Sequence, residues 1–206
     1  EIMGTWPSKS PSMCYQCPVT NVSWNDVQDF LQKANQIHKK SYKLPSEEEW
    51  EFAARGGRKA NRTVFSGSKL ISEVGWYNDN SGKNSHPVGK LLGNELGIYD
   101  MSGNAGEWCA NIYAAYPGCP EPKEVSTSRV IRGGSWNDSY STCTVTDEVF
   151  LHHGFQIKVL GFAFRITDNQ HHSLPLLGPA NHKPPAGFHS KDSCTLCRWQ
   201  GGQDGQ

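Results

Sequence analysis

Gly97-Ile98-Tyr99-Asp100-Met101-Ser102-Gly103-Asn104-Ala105-Gly106-Glu107-Trp108 and Arg132-Gly133-Gly134-Ser135-Trp136 are the stretches of this 206-residue chain whose reading decides its fold. Each sets glycines and small polar residues immediately ahead of a tryptophan. Glycine permits turns and close backbone approaches that a Cβ atom would forbid, and tryptophan brings a large buried area to a domain with few long helices. Trp24, Trp50, Trp76, Trp108 and Trp136 are accordingly expected in the core rather than stacked on a sugar.

Upstream of these stretches the pattern is helical. Ser23 can cap a helix whose apolar positions Val27, Phe30, Leu31 and Ala34 recur at i, i+3, i+4 and i+7. Ser46 and Glu49 have capping-box spacing, the first turn of that second helix is acidic, Trp50, Ala53 and Ala54 form its inner face, and Gly56-Gly57 ends it. From residue 58 to about 166 the period is lost, and short apolar pieces alternate with Gly, Asn, Ser and Asp clusters. Strands or strand-like pieces are expected at 19–22, 64–65, 74–77, 87–88, 98–99, 130–131 and 160–166. Two helices followed by loop-rich β structure make an α+β domain.

Composition excludes several classes. Twenty Lys+Arg against twenty Asp+Glu give a net charge of +0, so no global field draws the chain to nucleic acid or an anionic membrane. With 36% hydrophobic residues and no apolar run near 18 residues, no membrane-spanning helix is expected. The start, Glu1-Ile2-Met3-Gly4, lacks the pattern of a signal peptide, which says little about compartment because the chain reads as a fragment. Residues 1–16 read as an irregular lead-in, residues 17–166 as the domain, and residues 167–206 as a flexible Pro/Gly/His-rich tail, with an ordered or metal-dependent module as the alternative. The seven cysteines include two Cys-x-x-Cys pairs, Cys14/Cys17 and Cys194/Cys197, which suit either one shared four-thiolate zinc site or local disulfides and free thiols.

Together with Pro18 to Trp24, Leu44 to Gly57 and Gly161-Phe162-Ala163-Phe164-Arg165, the two opening stretches strongly resemble the formylglycine-generating sulfatase-modifying enzymes and their non-enzymatic relatives, over about residues 17–166. The resemblance implies a C-type-lectin-like α+β fold, with two helices flanking small twisted antiparallel sheets. It also implies three metals to weigh. The enzymatic branch holds copper(I) on two cysteines after the Arg-Gly-Gly-Ser stretch; here Cys143 takes the second position and Asp138 the first, so no copper is expected. A carbon–sulfur-bond-forming branch uses an iron site of three histidines, whereas His38, His86, His152 and His153 show no helical ligand spacing, so no iron is expected. Calcium suits the 102–107 loop, with Asn104 and Glu107 as ligands, unless both simply hydrogen-bond the loop backbone.

The segment from Asn137 to Leu160 follows neither a 3.6 nor a 2 period and mixes rigid aromatics with adaptable polar residues, the composition of a recognition surface. It is most similar to the corresponding segment of the variable proteins of diversity-generating retroelements. That resemblance implies a non-catalytic binding face carried by Asp138, Ser139, Tyr140, Thr142, Asp147, Phe150, His152, Phe155, Gln156 and Lys158. The expected partner is a macromolecule, protein rather than nucleic acid, and the expected location the bacterial cell surface or the secreted fraction. The alternatives are a divergent metal-dependent oxidase or sulfur-transfer enzyme, and a plain scaffold domain.

Overall fold

Local capping chemistry starts both long helices. In the computed structural model, which describes residues 2–4, 14–113 and 128–152 (side chains of 150–152 excepted), helix α1 spans Trp24–His38. The Ser23 hydroxyl accepts from the Asp26 N–H, and the Asp26 carboxylate accepts from the Ser23 N–H at 2.7 Å, a capping box with Asp in the role usually taken by Glu. Its stripe of Val27, Leu31 and Ala34 is buried, with Phe30 partly so, against a cluster of Val22, Leu44, Trp108 and Ile131. Helix α2, Glu47–Ala54, starts from the expected Ser46/Glu49 box, buries Trp50 and Ala54, and stops where Gly56 turns left-handed at φ 89°.

Three strands follow, β1 Glu107–Ile112, β2 Ser128–Arg132 and β3 Glu148–His152, in the antiparallel order β1-β2-β3. Trp108 pairs with Ile131 and Arg132 with Glu148, and the β1–β2 register shifts between Trp108 and Ile112. The start of α2 is pinned to β1: the Glu47 N–H donates to Asn111 Oδ1 at 2.8 Å and the Ala110 N–H to Pro45 O at 2.8 Å.

Several expected strands do not form. Of the piece expected at 74–77, Val74 ends a single helical turn, α3 (Ile71–Val74), in which Ile71 and Val74 bury at i, i+3, and 75–77 are irregular. Residues 64–65 contribute one isolated bridge, Phe65 to Ser68. At 19–22, 87–88 and 98–99 the chain is irregular, apart from bridge geometry at Val19, and its polar groups are satisfied elsewhere. The Val88 N–H donates to Gln16 O, and the Ile98 N–H to the Asn94 side chain. Residues 160–166 lie outside the described residues. Between α2 and β1 the chain is thus held by buried polar side chains: Asn94 Nδ2 donates to Ala53 O at 2.8 Å while its Oδ1 accepts from Leu96 and Ile98. Of the five tryptophans expected in the core, Trp50 and Trp108 are fully buried and the other three partly.

The described residues belong to the unit Glu1–Ala163, and the unit Phe164–Gln206 lies outside them. Cys14 and Cys17 form a local disulfide, which takes both thiols out of any zinc site shared with Cys194 and Cys197. No described helix is long and apolar enough to cross a membrane.

Candidate functional site

The turn after β2 places the start of the segment expected to carry recognition. Gly133 and Gly134 both have positive φ, at 90° and 66°. A Cβ on Gly134 would stand 2.7 Å from Cys143 Sγ and from Thr142 O, so only glycine lets the chain close onto the short 3-10 helix Tyr140–Cys143. Beneath the turn lies Arg132, with a fully buried side chain. Its guanidinium donates to Glu51 Oε2 at 2.8 Å, Glu47 Oε1 at 3.3 Å, Val145 O at 2.8 Å and Thr146 O at 3.1 Å, and lies over the Trp50 ring. One cation thus ties α2 to β2 and to the chain entering β3.

Asp138 and Cys143 come together, as their positions in the motif suggest. The Ser135 hydroxyl donates to Asp138 Oδ2, and the buried Cys143 thiol donates weakly to Ser135 O. Burial, reinforced by the Asp138 charge, pushes the Cys143 thiol up to about 12, so it is protonated at neutral pH. A lone protonated thiol beside a carboxylate does not fit copper(I), which takes soft thiolates. The two histidines whose side chains are described do not converge: His86 stacks on Trp76 at 3.8 Å with Nε2 2.7 Å from Ser81 O, while His38 packs edge-on to Tyr42. The His152 side chain and His153 lie outside the described residues.

Asn104 and Glu107 are engaged by residues outside the 102–107 loop. Asn104 Oδ1 accepts from the His86 N–H at 2.9 Å, and Nδ2 donates to His86 O at 3.1 Å and to Asp100 Oδ1. Glu107 Oε2 accepts from Trp50 Nε1 at 2.7 Å. Burial outweighs that hydrogen bond and raises the Glu107 carboxyl to about 7, with a further push from Asp100. Asn104 Oδ1 and Glu107 Oε2 each already hold a protein donor, which weighs against calcium, an ion that takes about six to eight oxygens. Among the described residues no three of His, Cys, Asp and Glu converge on a common point.

The other expected site residues divide. Ser139 and Tyr140 are exposed, whereas the Thr142 hydroxyl donates to Ser139 O, and the Asp147 N–H donates to Thr144 Oγ1. Burial raises the Asp147 carboxyl despite the attraction of Arg132. Phe150 and His152 lie on β3, their side chains outside the described set. Phe155, Gln156 and Lys158 lie outside the described residues altogether. Unforeseen from the sequence is an open groove of about 510 Å³ that Tyr140, Ser141 and Thr144 share with Val64, Leu70 and Tyr77. Its signal was present as large apolar residues between Gly, Ser and Asn clusters, but strands explain such residues equally well.

Residues 7–168 match the sulfatase-modifying factor enzyme 1-like domain family. The chain belongs to it. Among members of this family, a formylglycine-generating enzyme of Thermomonospora curvata is 30% identical over 173 residues, covering 68% of this chain and 54% of that protein. An inactive C-alpha-formylglycine-generating enzyme 2 of Bos taurus is 34% identical over 137 residues, covering 59% and 39%. The chain therefore spans about half the length, or less, of these curated relatives. Among solved structures, Treponema denticola variable protein 1 superposes with a TM-score of 0.68 at 29% identity, covering 78% of this chain and 77% of that one. The small antiparallel sheet with few helices is thus the C-type-lectin-like α+β fold of this family, similar to that of Treponema denticola variable protein 1.

Proposed function

We propose that the chain is a non-catalytic ligand-binding module. It displays a recognition surface over about residues 137–160, as variable proteins of diversity-generating retroelements do, and binds a macromolecular partner, protein rather than nucleic acid, at the bacterial cell surface or in the secreted fraction. The observation that carries this reading is the likeness to Treponema denticola variable protein 1 along most of both chains. Asp138 in place of a thiolate, beside a Cys143 thiol held protonated, supports the non-catalytic half. Between Gly134 and β3 the chain forms a supported turn from which Ser139 and Tyr140 face solvent, a suitable place for side chains that change without disturbing the frame.

The test is to sequence the codons for residues 137–160 across many clonal isolates of the source. Variation confined to adenine-derived positions within this window is the expected result, and an invariant window overturns a diversified surface. The rival reading, a divergent metal-dependent oxidase or sulfur-transfer enzyme, draws on the similarity to the Thermomonospora curvata enzyme. Loading the protein with copper(I) or iron(II) under reducing, anaerobic conditions and finding stoichiometric metal after desalting would favour that rival.

A further inference from the structure

We propose that the groove between Leu70 and Tyr140 is a docking subsite for an extended segment of a partner protein, one presenting an aromatic or branched aliphatic side chain with an aspartate or glutamate one or two residues away. The proposal rests on the ligand-binding reading above and assigns that reading a place and a chemistry.

The groove has a firm floor. Phe65, Ile71, Val74 and Cys143 form a buried apolar cluster beneath it, with Tyr77 packed alongside. Around the rim stand three large apolar side chains left in solvent: Leu70 at 60% exposure, Tyr140 at 59% and Val64 at 53%. Isolated exposed apolar residues are ordinary, but three gathered on one depression mark a contact surface. Its volume of about 510 Å³ falls within the range of roughly 300–1,000 Å³ typical of pockets that enclose a ligand group.

Charge selects the occupant. Lys69 is the one charged residue among those lining the groove, and no carboxylate lies within ion-pairing distance of it among the described residues. A lysine can lay its alkyl stem along an apolar wall and hold its ammonium at the edge. There it would meet an anion attached to whatever apolar group fills the depression. A net charge of +0 gives the chain no field to hold a polyanion such as nucleic acid, whereas a peptide brings one apolar side chain and one carboxylate within one or two residues. The two walls also differ in origin. Lys69, Leu70 and Val64 belong to the frame before β1, while Tyr140, Ser141 and Thr144 belong to the recognition segment. The frame supplies a constant anchor of one apolar contact and one charge, and the segment supplies discrimination.

A random linear peptide library displayed on phage and selected on the full chain tests this. The expected enrichment is an apolar residue with Asp or Glu at the next or next-but-one position. A synthetic peptide of that sequence should bind about tenfold or more weakly to Leu70→Ala and to Tyr140→Ala. Lys69→Glu, at an exposed position, should keep the wild-type melting temperature and shift the selection to Lys- or Arg-bearing peptides. Failure of any peptide to enrich, enrichment indifferent to Lys69→Glu, or several degrees lost from the melting temperature by both alanine variants without peptide binding would each overturn the proposal; the last would identify the groove as a face packed by this chain itself. Peptides that lose binding on Ser139→Arg and not on Leu70→Ala would overturn the groove while leaving the recognition segment standing.

Discussion

Arg132 is a single buried cation with two carboxylates and two backbone carbonyls around it. Taking away such a cation leaves charges buried without a partner, whereas the intact network gains little over an apolar replacement of the whole set. Arg132→Met should therefore lower stability by about 3–5 kcal/mol in urea unfolding; a loss below about 1 kcal/mol would show that Glu47 and Glu51 reach water instead. Cys143 makes the opposite kind of statement, a group whose chemistry is switched off. With its thiol pushed up to about 12 and its side chain buried, iodoacetamide at pH 8 should leave it unlabelled in the native protein and label it after denaturation. Labelling of the native form would mean that the thiol is exposed or ionised. The pairing of Asp138 with Cys143 was legible in the sequence, because the Arg132-Gly133-Gly134-Ser135-Trp136 motif fixes the spacing. Ser135 as the bridge between them was not, since a lone Ser carries no pattern. Asn104 teaches the same lesson: an Asn two residues before a Gly-Glu pair reads as a ligand, yet its amide is spent on His86 and Asp100. Addition of calcium and then of a chelator should accordingly leave the melting temperature unchanged, and a rise with calcium would restore the site by linkage.

At the scale of elements, what could be read was whatever obeys a local rule. The Ser23 cap and the Ser46/Glu49 capping box sit where the sequence places them, and the α1 stripe is buried as its period requires. Ser23→Ala should cost about 1 kcal/mol by thermal or urea unfolding. A change within a few tenths would mean that Asp26 alone caps the helix. The strands were less legible for physical reasons. In β1 the burial runs half-buried, buried, buried, half-buried, half-buried, exposed, with a register shift after Trp108, so no period-2 pattern survives. β3 opens with Glu148, and an acidic residue at the start of a strand looks like a loop until the structure shows it hydrogen-bonded to Glu47 of α2. The strands expected at 87–88 and 98–99 failed for the converse reason: they have apolar residues but no neighbour to pair with. Asn94 Oδ1 accepts from Leu96 and Ile98, Asp100 from Gly89, and Gln16 O from Val88 instead, bonds that the apolar pattern does not reveal.

Across the described part of the molecule, burial pushes four carboxyls in one direction. Asp100, Glu107, Asp147 and Glu148 are all raised, each chiefly by removal from water, and Glu148 also by its hydrogen bond and charge interaction with Glu47. The sign follows from linkage. A carboxyl with a higher pKa folded than unfolded binds its proton more tightly in the native state. Its contribution is complete below the unfolded value and fades as pH rises through the folded one. For Glu107 that window runs from 4.5 to about 7. For Glu148 it opens at the same ordinary value, 4.5, and extends upward. Proteins whose carboxylates are mostly paired lose stability toward acid, whereas these four groups act the other way. The melting temperature should consequently fall between about pH 5 and pH 8 when followed by calorimetry at constant ionic strength. Glu107→Gln keeps an oxygen for Trp50 Nε1 and cannot ionise, so it should flatten the profile below pH 7 and melt above the wild type at pH 8. A profile that rises through this range, or a Gln variant with the same slope as the wild type, would show that Glu107 is solvated in the native state. Among the described residues Lys69, Leu70 and Tyr140 share no hydrogen bond or ion pair with the four carboxyls, whereas Thr144 of the groove accepts from the Asp147 N–H, so the peptide experiment is run at one pH, below about 7, where the pH profile and the groove are read separately.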